Sequence, residues 1–129
     1  MAAITTLIVA LGSNNNQTNN LERAVSIIKS MFNDAEFSSN MWTNPIGIES
    51  DMFLNKLAKF STKYNLSEIL KVLKQVEKDC GNTQNDRDNN IIPMDIDILQ
   101  YGDKKMHEKD WERPYVRHLM SELYLESHQ

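Results

Sequence analysis

Two carboxylates stand two residues apart inside an apolar run, Met94-Asp95-Ile96-Asp97-Ile98-Leu99. On a β-strand successive side chains alternate between faces, so Asp95 and Asp97 share one face while Met94, Ile96 and Ile98 share the other. Strand geometry sets their Cα atoms roughly 6.5–7 Å apart, within reach of one cation or of two cations bridged by phosphates. Asp is depleted in strands, and two like charges on one face repel unless something positive lies between them. Mg²⁺ is a hard cation, usually held by one or two carboxylates plus substrate phosphates. One reading of the pair is therefore a Mg²⁺–nucleotide site. The other is a half-buried strand with an acidic outer face.

Other residues with chemical potential are less pointed. Gly12-Ser13-Asn14 suits either a backbone loop beside a ligand or a plain strand-to-helix connection. The polar stretch from Asn82 to Asn90 has Arg87 as its cation and reads as a lid beside the acidic strand or as a mobile solvated link. His107, His118 and His128 lack metal-ligand spacing and read as surface residues. Cys80 reads as a structural thiol at a helix end, and Trp42 and Trp111 read as core.

The elements that must position these residues come from a chain of 129 residues, which predicts one domain over 1–129 with a single packed core. No apolar run approaches a membrane span, and the start lacks the basic region of a signal peptide. With a single cysteine, these features point to a cytoplasmic protein. A formal net charge of −4 argues against a nucleic-acid surface, and an RNA-binding module is further disfavoured by the lack of an aromatic-rich strand.

Ile4 to Leu11 is short, apolar and β-branched and predicts a buried strand. Leu21, Ala24, Val25, Ile28 and Met31 recur at helical spacing from about Thr18 to Phe32, with Thr18 or Asn19 as cap. Ala35 to Thr43 and Phe53 to Thr62 predict two strands separated by the Asn44-Pro45-Ile46-Gly47 turn. Asn65 to Cys80 is the clearest helix, with an apolar stripe of Leu66, Ile69, Leu70, Val72, Leu73 and Val76, a cap at Asn65 or Ser67, and Gly81 as its stop. The Asp95/Asp97 strand ends near Tyr101-Gly102-Asp103, and Lys104 to His107 suggests a short return strand. Pro114 opens a last helix, Tyr115 to Leu125, with Leu119, Met120, Leu123 and Tyr124 facing inward. The order β-α-β-β-α-β predicts an α+β, ferredoxin-like fold. Its sheet is mainly antiparallel, with two helices on one face, a C-terminal helix in addition, and the other face free for a ligand.

Several separated pieces then agree. Ala10-Leu11-Gly12-Ser13-Asn14 follows the first strand, Thr43-Asn44-Pro45-Ile46-Gly47 makes a turn, and Phe53-Leu54-Asn55 opens a strand. Glu77 and Gly81 sit on and after the second helix, and Asp95-Ile96-Asp97-Ile98-Leu99 closes the series. In order and spacing the chain resembles the 6-hydroxymethyl-7,8-dihydropterin pyrophosphokinases of folate biosynthesis. The resemblance implies Mg²⁺-dependent transfer of pyrophosphate from ATP to the pterin hydroxymethyl group. It makes Asp95 and Asp97 the catalytic metal ligands and assigns Thr43, Asn44, Pro45, Ile46, Phe53 and Asn55 to the pterin. It sets Glu77 and Ile98 near the nucleotide, and Arg87 and Tyr115 are this chain's further candidates for that role.

The chain also departs from that pattern. The family's arginine-rich, tryptophan-bearing loop is replaced by Asn82 to Pro93, and Ile92 stands where an arginine is expected. Pro114-Tyr115-Val116-Arg117-His118 stands in place of P-H-Y and the Arg-x-Phe segment that follows it. Arg113, Arg117, His118, Lys104 and Lys105 are the candidates to replace the missing cations, and Tyr115 the missing aromatic. An active pyrophosphokinase is the first reading; a catalytically impaired or repurposed pterin- or nucleotide-binding relative is the second.

Overall fold

A computed structural model of the chain describes residues 3–82 and 84–127. In chain order the elements are β1 (Thr5–Ser13), α1 (Gln17–Met31), β2 (Glu36–Phe37), β3 (Met41–Thr43), β4 (Phe53–Thr62), α2 (Leu66–Asp79), α3 (Gln84–Asp88), β5 (Asp95–Tyr101), β6 (Lys104–Lys105), α4 (Glu108–Trp111) and α5 (Pro114–Ser127). The strands form one sheet in the order β2-β4-β1-β5-β6, with β3 also on β4, and every pairing is antiparallel. The expected α+β, ferredoxin-like plan is therefore present. Each crossover, through α1 and through α2, joins strands that hold an antiparallel neighbour between them.

Side-chain alternation divides the sheet into two packed faces. On one, Leu7, Val9 and Leu11 of β1 and Ile96 and Ile98 of β5 pack with Leu21, Ala24 and Ile28 of α1 and Ile69, Leu73 and Val76 of α2. Phe32 stacks on Phe60 with ring centroids 4.2 Å apart. Helix α2 begins at Asn65 with a full capping box: the Asn65 side chain accepts from the Glu68 N–H, and Glu68 accepts from the Asn65 N–H. It ends at Gly81, whose φ of 100° favours glycine. Leu70, counted in the apolar stripe, is instead exposed, as is Met31 of α1.

The second face is not free, contrary to the expectation. Val116, Leu119, Met120 and Leu123 of α5 cover Ile8, Leu57 and Leu99. Tyr124, expected inward, is 46% exposed, because it falls off the stripe formed by those four residues. Helix α5 starts beside the sheet end that carries Gly12, Asn55, Asp95 and Asp97 without covering it, and that end stays open.

Three local departures have clear physical causes. The second predicted strand is split into β2 and β3, and between Phe37↔Ala58 and Met41↔Asn55 it spends four steps against three on β4. The buried Ser38 hydroxyl accepts from the Leu57 N–H at 2.8 Å, satisfying a ladder donor at the break. Helix α1 starts from Asn16 in a left-handed conformation without a side-chain cap, not from Thr18 or Asn19. In β5 the register slips between Val9↔Ile98 and Ile8↔Gln100, so Leu99 is a β-bulge. Its carbonyl accepts from Met106 N–H (2.9 Å) and from the Trp111 indole N–H (3.0 Å). Trp111 is thus an anchor of α4 on β5, whereas Trp42 is 51% exposed rather than core.

The stretch after α2, expected to be mobile, is tied down. It contains α3 and is clamped to the end of β1 by buried Asn14. The Asn14 amide donates to Asn90 O (2.8 Å), its side-chain oxygen accepts from Ile92 N–H (2.6 Å), and its own N–H donates to Ile92 O (3.0 Å). Asn82 makes a similar pair with the N–H and C=O of Met94. Asn14→Ala removes both side-chain bonds and leaves the Ile92 N–H without its acceptor. It should lower stability by about 1–3 kcal/mol, read as a lower urea midpoint at unchanged slope. An unchanged midpoint would mean the clamp carries no stability.

Candidate active site

The open end of the second face forms a cleft of about 220 Å³. Its floor is Ala10, Leu11 and Gly12 of β1, with Asp95 and Asp97 of the neighbouring β5. Phe53 and Asn55 of β4, with Thr43, Asn44 and Ile46 from the β3 turn, make one wall. Asp110, Arg113 and Tyr115, from the junction of α4 and α5, make the other.

Local structure explains each placement. Ile96 and Ile98 belong to the helix-side core, so alternation turns Asp95 and Asp97 to the cleft. Gly12 lies opposite both Asn55 and Asp95 across β1. A Cβ there would meet Asn55 Oδ1 at 3.2 Å and the Phe53 ring at 3.6 Å, so the floor requires glycine to let these side chains approach. Asn55 is fixed: its amide nitrogen donates to Thr43 Oγ1 (2.8 Å) and Met41 O (3.0 Å). Its oxygen is left towards Gly12 and the cleft as an acceptor.

The electrostatics of the acidic pair are those of a site short of positive charge. Asp97 is pushed up to about 8 by burial, by the charge of Asp95 and a hydrogen bond shared with it, and further by Asp110 and Glu77. The donors are hard oxygens on one face, and cation charge is what their repulsion lacks. His107 Nε2 lies 3.9 Å from Asp97 Oδ1. Burial, then Asp110, pushes the Tyr115 hydroxyl up. Arg113 Nε donates to Asp110 Oδ1 at 2.9 Å.

Of the residues singled out in the sequence, Thr43, Asn44, Ile46, Phe53, Asn55, Asp95, Asp97 and Tyr115 share this cleft. Pro45 holds the turn without lining it. Glu77, Arg87 and Ile98 sit elsewhere, around the outer edge of β5. Glu77 is buried and accepts from Ile96 N–H at 2.8 Å, and Arg87 is 3.8 Å from its other oxygen. Burial pushes the Glu77 carboxyl up, and the Ile96 hydrogen bond pulls against it. The Ile98 side chain is in the core. Among the candidate replacement cations the fold brings Arg113 to the cleft, and leaves Arg117, His118, Lys104 and Lys105 exposed outside it. His128 lies outside the described residues.

Asp110 was missed by the sequence reading, and His107, read as a surface residue, is exposed but also stands near Asp97. Neither has a spacing to Asp95 or Asp97 that marks it; the β5–β6 hairpin and the Trp111 anchor fold them back. A signal did exist for Arg113: Arg113-Pro114-Tyr115 is itself an Arg-x-aromatic triplet. The structure sets both Arg113 and Tyr115 at the cleft.

The titration of Asp97 has a checkable sign. Without a cation its folded-state value, about 8, exceeds the unfolded value of about 4, so folding favours its protonated form. That contribution is complete below about pH 4 and is lost as the pH rises through about 8. Thermal melts in a chelator should show stability falling across that window, and Asp97→Asn should flatten the fall. Superimposable profiles for the two proteins would contradict it.

Comparison with known proteins agrees with the geometry. The family model for 7,8-dihydro-6-hydroxymethylpterin-pyrophosphokinase matches residues 8–125. A folate synthesis bifunctional protein of Arabidopsis thaliana is 35% identical over 121 residues, covering 85% of this chain and 25% of its own. The mitochondrial folate synthesis bifunctional protein of Pisum sativum is also 35% identical, covering 85% of this chain and 23% of its own. The chain thus spans about a quarter of the length of the curated relatives it matches. With a family match across most of its length and a cleft built on its Asp-Ile-Asp strand, the chain belongs to the 7,8-dihydro-6-hydroxymethylpterin-pyrophosphokinase family.

Proposed function

We propose that this chain, as a single domain, transfers the terminal pyrophosphoryl group of ATP to the hydroxymethyl oxygen of 6-hydroxymethyl-7,8-dihydropterin. The observation that carries this reading is the meeting, in one cleft, of the Asp95/Asp97 pair with Asn55, Phe53 and Tyr115. No helix among the described residues is long and apolar enough to cross a membrane. Cytoplasmic action fits that, although two of the relatives are named as mitochondrial proteins.

The reaction joins the hydroxymethyl oxygen to the β-phosphorus, breaks the bond from that phosphorus to the AMP oxygen, and releases the hydroxyl proton. Catalysis of such a transfer is mostly positioning and charge stabilisation. The Asn55 oxygen, held by its own amide bonds, accepts from the N–H edge of the pterin. The Phe53 and Tyr115 rings offer faces for it. Asp95 and Asp97 would hold Mg²⁺. Among the described residues no cluster of three or more His, Cys, Asp or Glu forms a cage, and two carboxylates are the donor count that Mg²⁺ takes when phosphates complete its shell. Bound there, Mg²⁺ supplies charge against the phosphoryl oxygens. Arg113 brings a guanidinium to the same cleft, where bidentate recognition of phosphate is available to it. Strand alternation directs the Ile98 N–H and C=O to the outer edge of β5, as for Ile96. A nucleotide base would meet that backbone, with Glu77 and Arg87 behind it, rather than the buried side chain.

A second reading, a binding relative with impaired catalysis, is favoured by one observation: Arg87 is engaged with Glu77 and away from the cleft. The deciding measurement is AMP release from ATP with Mg²⁺ and 6-hydroxymethyl-7,8-dihydropterin. The wild-type chain should release AMP only when pterin is present. Asp95→Ala and Asp97→Ala should lose turnover on the order of 10²-fold or more with folding retained. Pterin or Mg-ATP binding without AMP release would establish the second reading instead.

A further inference from the structure

We infer that Asp110 is a positioning residue that aims Arg113 at the phosphates; this inference rests on the nucleotide reading of the cleft. Asp110 and Arg113 form a partly buried ion pair, with Arg113 Nε donating to Asp110 Oδ1 at 2.9 Å. The contact engages the side of the guanidinium and leaves both terminal nitrogens without a hydrogen-bond or ion-pair partner among the described residues. Arg113 lines the same cleft as Asp95 and Asp97. A planar fork held through Nε presents its two Nη groups end-on, the geometry that bidentate recognition of a phosphate uses.

The backbone makes the aim rigid. Arg113 N–H donates to Asp110 O (3.1 Å) and Asp110 N–H donates to His107 O (2.8 Å). Between them, Trp111 pins the turn to β5 through its bonds to Leu99 O and Met106 O. Asp110 therefore sits on a braced turn one helical step from Arg113, and among the described residues its carboxylate is the only side-chain hydrogen-bond or ion-pair partner of that guanidinium. A long arginine side chain otherwise loses rotamer freedom when it engages a ligand, and Asp110 limits that freedom beforehand. The stretch 82–90 carries Arg87 as its cation, and that arginine is turned to Glu77, so one well-aimed cation matters more here. Asp110 also adds negative charge to an acidic cleft, and the alternative to aiming is competition, in which the carboxylate withholds Arg113 from the nucleotide.

A double-mutant cycle separates the two. AMP release and the Kd of Mg²⁺ with a non-hydrolysable ATP analogue are measured for wild type, Asp110→Ala, Asp110→Asn, Arg113→Ala and Asp110→Ala/Arg113→Ala, with thermal melts to confirm folding. Asp110→Ala should lose on the order of 10- to 100-fold in kcat. Asp110→Asn, which keeps an oxygen acceptor at the same reach, should recover most of that loss. In the Arg113→Ala background the Asp110→Ala change should be nearly silent. An Asp110→Ala protein that binds the analogue more tightly and turns over as fast as wild type would establish competition and overturn the inference. So would an equal loss in both backgrounds, since Asp110 would then act without Arg113. If the wild-type chain releases no AMP, the pyrophosphokinase reading fails on its own, and the same cycle in analogue Kd still decides whether Asp110 acts through Arg113.

Discussion

The site depends on a buried carboxylate under β5. Glu77 reaches from α2 and accepts the Ile96 N–H at 2.8 Å, on a strand edge that β6 does not cover at that height. With Ile96 and Ile98 seated in the helix-side core, the strand is fixed from behind and at its edge. Strand alternation then leaves Asp95 and Asp97 no direction except the cleft. Burying a carboxylate is costly, and the upward push on Glu77 registers that cost. The Ile96 hydrogen bond and Arg87 offset it in part. The two carboxyl groups on the opposite face are thus aimed by apolar packing and one hidden acid, with a hydrogen bond shared between them.

The cleft draws on three levels of structure with different reach along the chain. Its floor comes from β1 and β5 in register, where glycine at position 12 permits close approach. One wall follows from β4 and the β3 turn, locked by the Asn55 amide. The other exists only because α4 and α5 fold back over the sheet. The α5 stripe of Val116, Leu119, Met120 and Leu123 buries Leu57 and Leu99, and that burial drives the closure. Packing of the C-terminal helix is therefore coupled to the presence of Arg113 and Tyr115 at the site.

The sequence disclosed what local chemistry determines. Phe53–Thr62 has the predicted bounds. Helix α2 has its expected Asn65 cap and Gly81 stop, and the facing of the Asp pair follows from a period of two. Resemblance to the family pointed to the pieces around Thr43 and Asn55. Hidden features were those fixed by contacts distant in sequence. Asn14 bonds to Asn90, 76 residues on, so a stretch that looked mobile by composition is clamped by it. Ser38 splits a strand by offering a hydroxyl to Leu57, which no alternation pattern reveals. Tyr124 and Leu70 carry apolar side chains that periodicity assigns inward and tertiary packing leaves outside. The roles of Asp110 and His107 arise from a hairpin and a bulge whose geometry is absent from any short motif.

The bulge at Leu99 has a consequence beyond satisfying one indole. By taking up an extra residue, it resets the phase of β5: Ile98 and Tyr101, three apart, both pack towards the helices. The two halves of the strand therefore carry separate phases of facing. The facing of the acids is set by the first half, through Ile96 and Ile98 in the helix-side core. Changes of length or composition from Gln100 onward can be absorbed at the bulge without rotating Asp95 or Asp97 out of the cleft. The strand acts as two independently phased segments, one bearing the acidic pair and the other serving as an attachment point for the C-terminal wall.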